Sequence, residues 1–149
     1  MELHFDIFFN PVVMVPIFAW FIAQVTKVAL DLKKIGKIDV KRFVGSGGMP
    51  SSHTAFVTAL TTVVGIECGW SSPELGIAFA IMAVVMYDAT GVRRAAGRQA
   101  QVLNKIIEES QINGKLTHLD VKLKELIGHT PFEVLVGAVI GISIALLVM

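Results

Sequence analysis

Four apolar runs alternate with polar stretches along the chain. The first extends from Pro11 to Leu30, with Trp20 inside it and Lys27 near its end. The second, Thr54 to Ile66, is short and threonine-rich, with Ser52 as its earliest start. The third covers Leu75 to Tyr87 and runs on to about Val92, so that Asp88 falls inside it. The fourth, Pro131 to Met149, carries no charge after Glu133. A helix needs about 20 residues to cross the hydrocarbon core. The first and fourth runs meet that length. The second and third reach it only with their polar ends counted, as spans do that pack inside a bundle or thin the bilayer locally. From Val92 to Ile112 the pattern becomes amphipathic, with Leu103, Ile106 and Ile107 on one side, as suits a helix lying at the interface or against the bundle. Gln111-Ile112-Asn113-Gly114 reads as a helix end and turn. Thr117 to Leu126 reads as a short helix with Leu119, Leu123 and Leu126 on one face.

Composition agrees with a membrane protein. The 149 residues are 54% hydrophobic, and the mean hydropathy of +0.68 is too high for an ordinary soluble domain. Small residues recur in the apolar runs, as close helix contact in lipid requires, and Gly137 to Gly141 forms a G-x-x-x-G. Charge placement says more than the net +1. Every Lys and Arg lies between Lys27 and Arg42 or between Arg93 and Lys124. The turn at 67–74 carries Glu67 and Glu74 and no base. The positive-inside rule then places both long loops in the cytoplasm and the termini and the 67–74 turn outside. The expected fold is an all-α integral membrane helical bundle: about four transmembrane helices plus a cytoplasmic amphipathic helix, in a single membrane-embedded domain over 1–149. The acidic N-terminus (Glu2, Asp6) lacks the basic region of a cleavable signal peptide. The lone Cys68 excludes an internal disulfide.

Three polar clusters fall at the same membrane face. Gly47-Gly48-Met49-Pro50-Ser51-Ser52-His53 offers a turn, helix-capping serines and an imidazole at one helix start, which together make an anion site. The bland alternative is a capped helix with an incidental interfacial histidine. Asp88-Ala89-Thr90-Gly91-Val92-Arg93-Arg94 sets an acid one turn before two arginines. Guanidinium forks match phosphate oxygens, although arginines at a cytoplasmic boundary need no ligand to be explained. An acid within an apolar span calls for a partner and marks a functional site. In His129-Thr130-Pro131-Phe132-Glu133, the last four residues form a capping box that accounts for Glu133 structurally. His129 is not explained by that box. Glu133 lies one turn away and can orient the ring, freeing the other nitrogen to attack. These groups suit phosphoryl transfer in which one imidazole attacks phosphorus and the other protonates the leaving oxygen. No metal-ligand spacing is present, and His4 and His118 read as incidental.

Pro50-Ser51-Ser52-His53 resembles the P-S-G-H signature of the phosphatidic acid phosphatase type 2 superfamily, related to the vanadium haloperoxidases. His129-Thr130-Pro131-Phe132-Glu133-Val134 followed by Gly137 resembles its H-x-P-x-D-V-x-x-G signature. With Asp-x-x-Gly-Val-Arg-Arg, these motifs look like the superfamily's small divergent branch, over about Gln24 to Gly141. The resemblance implies His129 as nucleophile, His53 as general acid and Glu133 as the orienting carboxylate. Ser52 stands for the usual glycine and Glu133 for aspartate. Lys122 and Leu123 stand where the superfamily carries Ser-Arg, and its first signature survives at best as Lys34 with Lys41. Arg93 and Arg94 are then the candidate phosphate clamp, with Ser51, Ser52, Lys27 and Asp88 completing the phosphate site. The expected activity is a membrane phosphatase acting on a lipid phosphate monoester at the cytoplasmic face, with no cofactor or metal. Phosphatidylglycerophosphate is favoured, ahead of phosphatidic acid or an isoprenoid phosphate. A lipid phosphotransferase and a non-catalytic protein binding anionic headgroups are the alternatives. Membrane lipids are the other partners, nucleic acid is not one, and self-association stays open.

Overall fold

A computed structural model of the chain describes residues 9–35, 48–112, 122–125 and 127–149. Among the described residues are five helices: α1 (Pro11–Ile35), α2 (Ser52–Cys68), α3 (Pro73–Thr90), α4 (Val92–Ile112) and α5 (Pro131–Val148). No strand occurs among the described residues. Each apolar helix starts on a polar cap. Ser51 caps α2, Ser72 caps α3 ahead of Pro73, and Thr130 caps α5 ahead of Pro131. The hydroxyl meets an orphan amide while proline fills a position that needs no donor.

Among the described residues, three stretches are long and apolar enough to cross a membrane: Pro11–Lys33, Pro73–Gln111 and Pro131–Val148. With these helices the protein is an integral membrane helical bundle. The second apolar run, expected as a fourth span, forms the shortest and most enclosed of the five helices. α2 has 17 residues and is enclosed by α1, α3 and α5. Its threonines are the reason it can be both polar and buried. Thr58, Thr61 and Thr62 donate their hydroxyls at 2.8 Å to the carbonyls of Thr54, Val57 and Thr58 on the turn before. These threonine hydroxyls are thereby satisfied inside the helix, where an apolar surround would penalise an unmet donor.

The G-x-x-x-G of α5 is spent within the chain. A side chain at Gly137 would collide with the Ser51 carbonyl, and one at Gly141 with the Ala55 carbonyl and the Thr58 hydroxyl. The α2 and α5 backbones therefore meet closely, and Val15, Ala19, Ala59, Val63 and Ala145 close the core between α1, α2 and α5. Ile77, Phe79, Val84, Leu135, Val139 and Leu146 point outward, as a bilayer-facing surface requires.

The expected helix over Thr117–Leu126 is not found where the chain is described, because residues 122–125 form no helix. The reason is visible. Asn104 of α4 brackets Leu123: its Nδ2 donates to the Leu123 carbonyl and its Oδ1 accepts from the Leu123 amide, both at 2.9 Å. A side chain supplies the partners that a helix would have supplied. The rest of that segment, with His118, lies outside the described residues, as do His4, Lys37 and Lys41.

Candidate active site

Three helix ends converge on His129. The Ser51 amide, at the start of α2, donates to the Glu133 carbonyl in the first turn of α5 at 3.1 Å. The His129 amide donates to the Ala89 carbonyl at the end of α3 at 3.0 Å. A Cβ at Gly128 would strike the Arg94 backbone, so the strap into His129 lies flat on the start of α4. A Cβ at Gly97 would likewise strike the Glu125 carbonyl. α4 thus holds the strap at Gly97, Asn104 and Arg94, and the strap holds His129, which is 5% exposed.

Glu133 serves two purposes with one oxygen. Its Oε2 takes His129 Nδ1 at 3.2 Å and accepts from the Thr130 amide at 3.0 Å. The Glu133 amide in turn donates to Thr130 Oγ1 at 3.3 Å. The capping box and the imidazole–carboxylate pair coexist. A proton held on Nδ1 by the carboxylate leaves the lone pair on Nε2. Burial holds His129 below the ordinary histidine pKa by penalising the cation. The Glu133 hydrogen bond and charge oppose that, and the charges of Lys27 and Arg93 reinforce it. The imidazole is therefore neutral at neutral pH, which a nucleophile needs.

A pocket of about 210 Å³ contains both imidazoles. His53, Asp88, Arg93 and His129 supply its polar groups, and Val84, Val85, Ala89 and Ile127 its apolar wall. Arg93 Nε is bonded to Asp88 Oδ2, so the guanidinium is held at the pocket and its remaining N–H groups stay available to an anion. Asp88 thus fixes the Arg93 guanidinium at the pocket.

The structure divides the expected clamp. Arg94 does not line this pocket. With Arg98, Asp31, Gln101 and Glu125 it lines a separate cavity of about 650 Å³, which reaches His129 and Glu133 from the other side. Lys27 is 2% exposed, does not line the pocket of the two imidazoles, and its charge lowers the pKa of both. Ser51 and Ser52 are buried and line neither cavity. The Ser51 hydroxyl is taken up by the Thr54 amide and hydroxyl. These two serines build the α2 start that positions His53. Among the described residues, no group of three His, Cys, Asp or Glu side chains is placed to hold a metal ion.

Sequence reasoning did not single out Asn104 or Gly97. The signal was the stripe Gly97, Ala100, Asn104, Ile107, which places two small residues and one amide on the packed side of an amphipathic helix.

Residues 8–144 match the family described as the Divergent PAP2 family. The chain belongs to that family. A divergent PAP2 relative of this protein, the uncharacterized membrane protein YuiD of Bacillus subtilis (strain 168), is 41% identical over 133 residues, covering 83% of this chain and 84% of its own. No solved structure matches. Within this divergent PAP2 protein, the motif residues His53 and His129 line one pocket although 76 residues separate them, and Glu133 is bonded to the His129 ring without lining that pocket.

Proposed function

We propose that this divergent PAP2 protein is a lipid phosphate phosphatase acting through a phosphohistidine on His129. The observation that carries the reading is the His129 Nδ1–Glu133 Oε2 pair beside a pocket shared with His53 and an Asp88-held Arg93. In this reading His129 Nε2 attacks phosphorus as the bond to the leaving alkoxide oxygen breaks. His53, whose pKa is lowered by burial and by the charges of Arg93, His129 and Lys27, becomes imidazolium against the bound phosphate dianion and gives its proton to that oxygen, and the alcohol departs. Arg93 neutralises the equatorial oxygens, with Lys27 adding positive potential. Glu133 stabilises His129 as its ring becomes cationic. Water then attacks the phosphohistidine, gives a proton to neutral His53, and leaves as part of inorganic phosphate. The chain's own cations supply the charge neutralisation, so the reading requires no metal.

Basic residues support a cytoplasmic site. Lys33, Arg93, Arg94, Arg98, Lys105, Lys122 and Lys124 all belong to the end of the bundle that carries His53 and His129, while the 69–72 turn at the other end has none. Phosphatidylglycerophosphate, phosphatidic acid and isoprenoid phosphates all present a monoester to that face.

The test is hydrolysis of a lipid phosphate by the purified full-length protein, with acid-labile, base-stable ³²P trapped on the chain. Label should appear in the wild type and vanish in His129→Ala. Undiminished turnover by His129→Ala would overturn the assignment. An added alcohol that captures the phosphoryl group in preference to water would make the protein a transferase.

A further inference from the structure

His53 borders a second space besides the pocket it shares with His129. A groove of about 330 Å³ runs from it, walled by Ile17 and Trp20 of α1, Phe56 and Val57 of α2, and Val85 of α3. Apart from the His53 imidazole, no side chain lining the groove carries a hydrogen-bonding group other than the Trp20 indole N–H. Its position along the bundle is informative. Trp20 lies seven residues before Lys27 on α1, about 10 Å at a helical rise of 1.5 Å per residue. The groove therefore descends from the polar end of the bundle into the apolar layer, and Ile17 at its lower rim is exposed to the surroundings.

From this geometry we infer that the groove binds the hydrocarbon chain of the leaving alcohol, and that the preferred substrate is a phosphate monoester of a long-chain hydrocarbon alcohol, alkyl or prenyl. The inference rests on the phosphatase reading. The group that protonates the leaving oxygen must lie within hydrogen-bond reach of it. What is attached to that oxygen must then continue past His53, and the space past His53 is apolar. A hydrocarbon chain fills it at no polar cost. A glycerol hydroxyl or a diester phosphate one or two bonds further on would be desolvated there without partners. Phosphatidylglycerophosphate places such groups immediately beyond the leaving oxygen. A prenyl or alkyl monophosphate places only carbon there.

Two measurements test this. The first compares kcat/KM for dodecyl phosphate and butyl phosphate in detergent, alongside phosphatidylglycerophosphate. The wild type should prefer the dodecyl ester by about tenfold or more, the scale on which apolar pockets read chain length. Ile17→Phe, which narrows the groove, should bring that ratio toward one. Leu147→Phe, on the outer face of α5, should leave the ratio as it was. The second measurement does not depend on turnover. The chain has two tryptophans, and Trp70 lies in the turn at the far end, 68% exposed. In Trp70→Phe protein the fluorescence is that of Trp20 alone. An ω-bromododecyl phosphonate should quench it saturably, at concentrations where bromododecane of equal detergent loading does not. Equal quenching by the two would make the groove a contact for bulk lipid and overturn the inference. So would a higher kcat/KM for phosphatidylglycerophosphate than for dodecyl phosphate, or an unchanged chain-length ratio in Ile17→Phe. If hydrolysis persists in His129→Ala while phosphonate quenching remains saturable, the phosphohistidine reading of His129 fails and the groove as an alkyl-phosphate site stands.

Discussion

His129 and Glu133 are joined through the same carboxylate oxygen that completes the α5 capping box. Oε2 of Glu133 meets His129 Nδ1 at 3.2 Å and the Thr130 amide at 3.0 Å. A residue that ends a loop and a residue that starts a helix are thus fixed by one atom. The imidazole inherits the rigidity of the helix start, and local capping chemistry becomes a device for holding an imidazole.

That double duty makes Glu133→Gln informative. Glutamine also serves at the third position of a capping box, so the variant should fold and melt within a few degrees of wild type. Its amide N–H₂ can donate to Nδ1, which places the ring proton on Nε2 and blocks attack. The negative charge that stabilises the cationic ring is lost as well. Phosphatase activity should fall by about 10²- to 10⁴-fold, the range for groups that act directly on a proton transfer. Glu133→Ala should lose activity and also about 1 kcal/mol of stability with the cap. Wild-type turnover by Glu133→Gln would reduce the pair to a structural contact.

The two adjacent arginines should separate in their response to vanadate, which imitates pentacoordinate phosphorus. Arg93 lines the pocket with both histidines, whereas Arg94 lines the cavity beyond His129. Arg93→Ala should raise the inhibition constant for vanadate by about tenfold or more, as loss of a charged hydrogen bond of about 1.5–3 kcal/mol implies. Arg93→Lys should restore only part of that, since a point charge lacks the fork that Asp88 orients. Arg94→Ala should leave vanadate inhibition near wild type. The reverse ranking would move the phosphate to the larger cavity.

Acid pH should expose the burial of His129. The folded pKa lies below the ordinary histidine value, with burial the main cause. The neutral, nucleophilic form therefore persists below about pH 6.5, where a solvated histidine is half protonated. kcat/KM should hold as pH falls through 6.5 and decline only lower. Glu133 raises the His129 pKa, so in Glu133→Gln the residual activity should keep its acid limb at still lower pH. Arg93→Ala removes a lowering charge and should shift the limb upward. The linkage to stability has the same sign. The histidine contributes stability above its unfolded pKa, and that contribution is lost as pH falls through the folded one. An acid limb at or above 6.5 in the wild type would mean that His129 is solvated during turnover.

The helical plan was legible because hydrophobic runs and polar caps are local properties. Ser51, Ser72-Pro73 and Thr130-Pro131 announced helix starts that the structure reproduces. His129 and Glu133 were legible as a pair because one helical turn fixes their separation. Two features were not. The fate of Thr117–Leu126 depended on Asn104, which competes for the Leu123 backbone from 19 residues away. The division of Arg93 from Arg94 depended on which way successive residues face at the start of α4, after the chain turns at Gly91. Neighbours in sequence, about 100° apart around a helix, entered different cavities. The serines were ambiguous for a related reason. Small hydroxyl residues suit a phosphate site and a buried helix cap equally well, and only the close approach of Gly137 to Ser51 favours the second.

The native cysteine tests the orientation. Cys68 is exposed at the end of α2, beside the base-free 69–72 turn and opposite the pocket. If the basic end faces the cytoplasm, a membrane-impermeant maleimide added to intact cells should label Cys68. A cysteine at Lys105 in a Cys68→Ser background lies on the exposed side of α4 and should label only after the membrane is opened. The thiol must be in water to react as thiolate, so silence at both positions in intact cells would leave Cys68 shielded by lipid. Repeating the label on opened membranes separates that case from inversion. Labelling of Lys105→Cys from outside would place the basic residues on the outer face. It would also put His53 and His129 there, and the substrate would have to be a lipid phosphate displayed outside the cell.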